Sequence, residues 1–216
     1  MEPDAVEIRV VACLVEKQRT TPDVYPLSLN SLRLACNQST NRDPVVEYDE
    51  QAVVEALRRL ALRGWTRLTS GAGSRARKYR HLLDEALDLD PGELALVTVL
   101  MLRRAQTPGE LKQRSERLHA LADLGAVQET LERLVGRGYV ARHDRRPGQK
   151  EVRYEQVLGG EPEQSGTTEE PGEGAALPSA PQPPRGSADE DRIAAIERRL
   201  AELRREVAAL RADLGG

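Results

Sequence analysis

The chain contains no phenylalanine and a single tryptophan in 216 residues, so its interior must be built mainly from Leu, Val and Ala. It has two cysteines, Cys13 and Cys36, with no Cys-x-x-Cys spacing, which excludes a disulfide scaffold and a cysteine-based structural zinc site. Its three histidines, His81, His119 and His143, do not fall at metal-ligand spacing, and neither a metal nor a cofactor is expected. The one glycine-rich stretch, Gly71-Ala72-Gly73-Ser74, lacks the lysine and the following helix of a phosphate loop. No catalytic constellation emerges, so the chain reads as non-enzymatic. No apolar run approaches the ~18 residues of a membrane span. Met1-Glu2-Pro3-Asp4 is acidic and lacks the basic-then-apolar order of a secretion signal, which predicts a cytoplasmic protein without a membrane partner.

What is present is a repeat. Leu57-Arg58-Arg59-Leu60-Ala61-Leu62-Arg63-Gly64-Trp65 returns as Leu131-Glu132-Arg133-Leu134-Val135-Gly136-Arg137-Gly138-Tyr139, and Thr21-Pro22 returns as Thr107-Pro108. The first offset is 74 residues and the second 86, so the first copy carries about a dozen extra residues between the two signals. Two such units make a duplicated domain rather than a solenoid.

Within each copy the same signals recur in order. In the first, helical periodicity predicts helices over about 5–17, 29–38 and 49–63, with Val53, Leu57 and Leu60 inward and Gly64 closing the third. Strands over 65–69 and 75–82 then form a hairpin. In the second, Asp90-Pro91-Gly92-Glu93 and Thr107-Pro108-Gly109-Glu110 are capping boxes that open helices running to about 104 and 117. A third helix spans about 127–137, with Val127, Leu131, Leu134 and Val135 apolar, before a hairpin of 139–143 and 151–157. Three helices and a hairpin are the order of a winged helix, whose third helix enters the major groove when the module binds DNA. The fold expected is α+β: winged-helix domains over 1–84 and 85–158.

The rest of the chain differs. Residues 159–187 hold six Gly and six Pro, no aromatic and only Leu177 as a large aliphatic, and read as a disordered linker. In 188–216, Ile193, Ile196, Leu200, Leu203, Val207, Leu210 and Leu214 are spaced three and four apart, a heptad seam predicting a coiled-coil helix and a homo-oligomer. The alternative is one amphipathic helix packing back on its own body. Residues 1–158 hold 25 basic and 23 acidic side chains, against 7 and 12 in 159–216.

The first repeat carries a further text. Tyr25-Pro26-Leu27-Ser28 and above all Cys36-Asn37-Gln38-Ser39-Thr40-Asn41-Arg42-Asp43-Pro44 resemble the YceH-like family of bacterial proteins, as does Ala105-Gln106-Thr107-Pro108-Gly109-Glu110-Leu111. The resemblance covers about residues 5–158. It implies tandem winged helices and brings no activity with it.

Candidate binding residues follow from the hairpins. Arg75, Arg77, Lys78 and Arg80 lie on the first, and Arg142, Arg145, Arg146, Lys150 and Arg153 on the second, where cations can track phosphates without reading bases. The bland alternative is two solvated hairpins whose charge blunts their edges. The third helices argue the other way, because Asp49, Glu50, Glu55, Glu129 and Glu132 would repel a DNA backbone. In the family-motif loop, Cys36, Asn37, Gln38, Thr40, Asn41 and Arg42 could read bases, bind a peptide, or form a self-bonded loop that positions the third helix. Two functions stay open: a DNA-binding module of transcription-regulator type with low sequence specificity, and a protein–protein scaffold like the tandem winged helices that bind kleisin subunits. The duplicated basic hairpins favour double-stranded DNA.

Overall fold

In a computed structural model of the chain, residues 2–69, 77–144 and 151–159 are described. The expected linker and heptad seam, with Ile193, Ile196, Leu200, Leu203, Val207, Leu210 and Leu214, lie outside the described residues, as does most of each hairpin loop.

The described residues form a mixed α and β structure. Helix α1 spans Ala5–Thr20, three residues longer than periodicity predicts, and is opened by a capping box of Asp4 and Glu7. A 3-10 turn, Pro22–Val24, and a two-residue strand β1, Leu27–Ser28, precede α2, Leu29–Cys36, which Ser28 caps. Helix α3 is Glu50–Leu62, followed by strands β2, Thr66–Thr69, and β3, Lys78–His81. The short helix α4, Leu83–Leu87, joins the repeats and has no counterpart in the sequence reading. Helices α5, Pro91–Arg103, and α6, Pro108–Ser115, start at the two expected capping boxes. Helix α7, Leu124–Gly136, is capped by Asp123, and strands β4, Val140–His143, and β5, Arg153–Gln156, close the second repeat.

The hairpins are antiparallel. In the first, β3 lies between β1 and β2, with Leu27 opposite Tyr79 and Arg67 opposite Arg80. In the second, Gln106 takes the place of β1 as a single bridge to Tyr154, through backbone bonds of 2.8 and 2.9 Å. Each third helix ends on a glycine with positive φ, Gly64 at 74° and Gly138 at 73°. In both, the next residue's N–H bonds back across the turn, Trp65 to the Leu60 carbonyl (2.9 Å) and Tyr139 to Leu134 (3.0 Å).

The buried side chains of both repeats form one continuous cluster within a compact unit spanning residues 1–166. Its centre is α1 against α5. Both are buried on every side, Glu7–Val15 in α1 and Gly92–Leu102 in α5. A helix can be apolar all round only if it is enclosed, and Leu94–Leu102 is such a run, interrupted only by Thr98. The third helices show one apolar face each, Val53, Ala56, Leu57 and Leu60 in α3 and Val127, Thr130, Leu131 and Leu134 in α7. Val135, grouped in the sequence reading with the apolar residues of α7, instead faces solvent, 37% exposed.

Candidate nucleic-acid interface

The register sorts each hairpin into two faces. On the first, Thr66 and His81 point to the core and are buried. The neighbouring positions place Arg67, Thr69, Lys78 and Arg80 together on the other face. Arg67 and Arg80 stand directly opposite, an arrangement that destabilises a hairpin. Arg80 has a carboxylate at 3.1 Å, that of Glu85, whereas Arg67, Arg77 and Lys78 have no ion-pair partner among the described residues. Arg77 is exposed just ahead of β3. Sequence reasoning missed Arg67; the signal was available in its antiparallel distance from Arg80.

The second hairpin is less basic where it is described. Arg142 is exposed on β4. Arg153 turns inward, donating to the Ala105 carbonyl at 3.0 Å and reaching Glu110 at 3.4 Å, so its charge is committed within the fold. Arg75, Arg145, Arg146 and Lys150 lie outside the described residues.

Four arginines of the third helices are also committed internally, whereas Arg58 of α3 is exposed and lies 3.4 Å from Glu55 of the same helix. Arg59 lies 2.6 Å from Asp4 and 3.1 Å from Glu7, and Arg63 lies 3.3 Å from Glu7. In the second repeat Arg133 lies 3.0 Å from Asp90 and 3.3 Å from Glu93, and Arg137 lies 3.0 Å from Glu93. These carboxylates are the two capping boxes, so the same side chains cap the first helix of each repeat and tie it to the third. The outward faces of α3 and α7 keep Glu55, Glu129 and Glu132 with the apolar Val54, Leu62 and Leu124.

The family-motif loop is bonded to itself and to α1. The Asn37 side chain brackets the Tyr48 backbone, donating to its carbonyl at 2.8 Å and accepting from its N–H at 2.9 Å. Arg42 is buried. Its five N–H groups meet the Ala35 and Asn41 carbonyls, the Gln38 side chain (3.1 Å) and both Glu16 oxygens (3.1 and 2.5 Å). Burial works against its charge, but the bonds to Glu16 hold its pKa above the ordinary value. Beneath it Arg9 donates to the Pro44 carbonyl at 2.8 Å. Cys13 and Cys36, distant in sequence, are brought into contact here, and both are fully enclosed. The contact with Cys13 and then burial push the Cys36 thiol up, so it stays protonated. Thr40 and Asn41 remain at the surface, and the Asn41 side-chain oxygen accepts from Arg103 of α5.

The family described as "Protein of unknown function, DUF480" matches residues 4–149. The chain belongs to this family. Its members similar to this chain include a UPF0502 protein of Geotalea daltonii, 50% identical over 174 residues that cover 80% of this chain and 79% of the relative. The UPF0502 protein YceH of Salmonella paratyphi B is 47% identical over 167 residues, covering 74% and 78%. A UPF0502 protein of Geotalea uraniireducens is 46% identical and aligns with 88% of this chain and 85% of its own. That share exceeds residues 1–158, so the similarity continues past the duplicated region in this relative. The YceH-like resemblance read from Cys36–Pro44 is thereby shown.

Proposed function

We propose that this member of the family is a non-enzymatic, cytoplasmic tandem winged-helix protein that holds double-stranded DNA by its hairpins rather than by its third helices. The observation that carries the reading is the Arg67–Arg80 pair. Two like charges face each other across a hairpin at a cost to its stability, beside Lys78 and Arg77, which have no acidic partner among the described residues. Such a face is suited to phosphates. The third helices offer a groove mainly carboxylates and apolar side chains, because Arg59, Arg63, Arg133 and Arg137 are held by the capping boxes and the exposed Arg58 is paired with Glu55 on its own helix. Binding of this kind is sequence-poor and falls steeply with salt. Joining two chains through the heptad seam at 193–214 would double the contacts.

A salt titration of the full-length chain on random-sequence duplex DNA tests the reading. A log–log slope of about −0.9 per phosphate contact is expected, reduced by about one in Arg67→Gln and again in Arg142→Gln. Absence of binding at low salt would overturn it. The scaffold reading would then stand. It has its own support in the exposed Leu62, Val54 and Leu124, which are 83%, 40% and 44% exposed on the outer faces of α3 and α7.

A further inference from the structure

A cleft of about 320 Å³ opens where α1 of the first repeat meets α5 and α6 of the second. We propose that it is a binding site for a small organic phosphate ester. Glu16, Arg103, Arg114 and Arg117 supply the charged lining, and Val99, Leu102 and Leu118 an apolar wall.

The charges do not balance. The one carboxylate in the lining, Glu16, is fully engaged by buried Arg42 behind it, at 2.5 and 3.1 Å. Arg114 lies 3.5 Å from Glu110, but Glu110 is shared with Arg153 at 3.4 Å. Arg117 is exposed and has no partner among the described residues. Arg103 is half-buried, and among the described residues its one acceptor is the neutral side-chain oxygen of Asn41. Burial, then Arg114 and Arg42, push its pKa below the ordinary arginine value. Three guanidinium groups therefore converge on a concavity with no free acid to meet them. Planar guanidinium groups match the oxygens of a phosphate through paired bonds. The volume is at the small end of the ~300–1,000 Å³ range of ligand sites, which suits a phosphate on a single-ring body and not a dinucleotide.

The backbone around the cleft is also unusual. Arg104, next to Arg103, has φ 58° and ψ −157°, a region otherwise left to glycine, and Asn41 has φ 60°. The two residues adjoin the single contact that holds Arg103, and strain of this kind gathers at ligand clamps. The site draws one wall from each repeat and uses none of the hairpin cations, so it stands or falls independently of DNA binding.

Calorimetric titration of the full-length chain with phenyl phosphate, at millimolar concentration and low ionic strength, tests the assignment. One saturable site per chain is expected, with inorganic phosphate weaker and benzyl alcohol silent. Arg103→Gln and, separately, Arg117→Gln should each weaken phenyl phosphate about tenfold or more. The exposed Arg117 leaves the fold intact and serves as the decisive variant if Arg103→Gln fails to fold. No saturable binding, or equal binding by Arg117→Gln, overturns the proposal. Displacement of phenyl phosphate by a duplex oligonucleotide also overturns it, by giving the cleft to nucleic-acid phosphates instead.

Discussion

The two repeats share a frame and differ in one insert. Asp4, Glu7, Arg59 and Arg63 recur as Asp90, Glu93, Arg133 and Arg137, with the same pairings between the first and third helices. Both third helices end on glycine at nearly the same φ, and both hairpins place a tyrosine, Tyr79 or Tyr154, opposite the extra strand or bridge. The Asn37–Asp49 stretch has no such partner. It buries Arg42 on Glu16, reaches α5 through the Asp43 N–H to the Leu102 carbonyl (2.9 Å), and holds Arg103 through Asn41. What is duplicated builds the fold. What is not duplicated shapes the asymmetric cleft, where a ligand would have a reason to bind one way round.

That contrast can be broken most forcefully at Arg42. Arg42→Met strips Glu16 and the Ala35 carbonyl of their main donor, and removing one partner of a buried pair costs about 3–5 kcal/mol. Urea unfolding should register a loss of that size. A loss under about 1 kcal/mol would mean that water replaces the guanidinium and that the insert is dispensable to the fold.

A second asymmetry is His81, whose place in the other hairpin is held by Gln156. Its Nδ1 accepts from the Leu83 N–H at 3.3 Å and its Nε2 faces the Gln18 oxygen at 2.6 Å, so the neutral ring is the bonded form and Asp84, at 3.5 Å, makes no ion pair with it. Burial is the main cause that brings its pKa down to about 4, with Arg19 and Arg80 adding to it against Asp84. The folded pKa lies below the unfolded one, so this contribution to stability is complete above about pH 6.5 and is lost as pH falls toward 4, a total of roughly 3 kcal/mol. His81→Gln, which copies the second repeat, should flatten the fall in stability between those values. An unchanged slope would assign the acid sensitivity to carboxylates.

The duplicated parts should respond alike. Glu7→Gln and Glu93→Gln each weaken a capping bond and two charge-assisted contacts, and each should lower stability by about 2 kcal/mol. Losses that differ by much more than about 0.5 kcal/mol would show that the repeats have diverged beneath a common geometry. Least of all, Gly64→Ala and Gly138→Ala should each cost about 1 kcal/mol. Both positions have positive φ and no atom within 4 Å of the added methyl, so the backbone alone sets the penalty.

Local signals were readable in the chain. Asp90 with Glu93 and Thr107 with Glu110 marked helix starts, Gly64 and Gly138 marked ends, and the helix boundaries fell within a few residues of the periodic pattern, because each rests on bonds between near neighbours. The partners of the arginines were not readable. Arg59 and Arg63 look like the basic half of a reading helix until α1 is placed beside them, and their carboxylates lie more than fifty residues away in sequence. The hint was there, since Asp4 and Glu7 recur as Asp90 and Glu93 at the 86-residue offset of Thr-Pro. Pocket-forming residues left less trace. Arg114 and Arg117 lie three residues apart at the end of α6, but Arg103 ends α5, and only the packing of the two helices brings it to them.

The enclosure of α1 by α5 also bears on how the protein is made. A chain leaving the ribosome completes α1 at Thr20, but the helix that covers its far side ends only at Arg103. At about 5–20 residues per second that interval is on the order of 5–15 s. Through it the first repeat carries α1, whose residues from Glu7 to Val15 are all buried in the finished fold, with part of its cover still missing. The first repeat therefore cannot finish folding before the second begins to emerge. Truncation between them should leave a nascent chain that recruits chaperones, although its own three helices and hairpin are already complete.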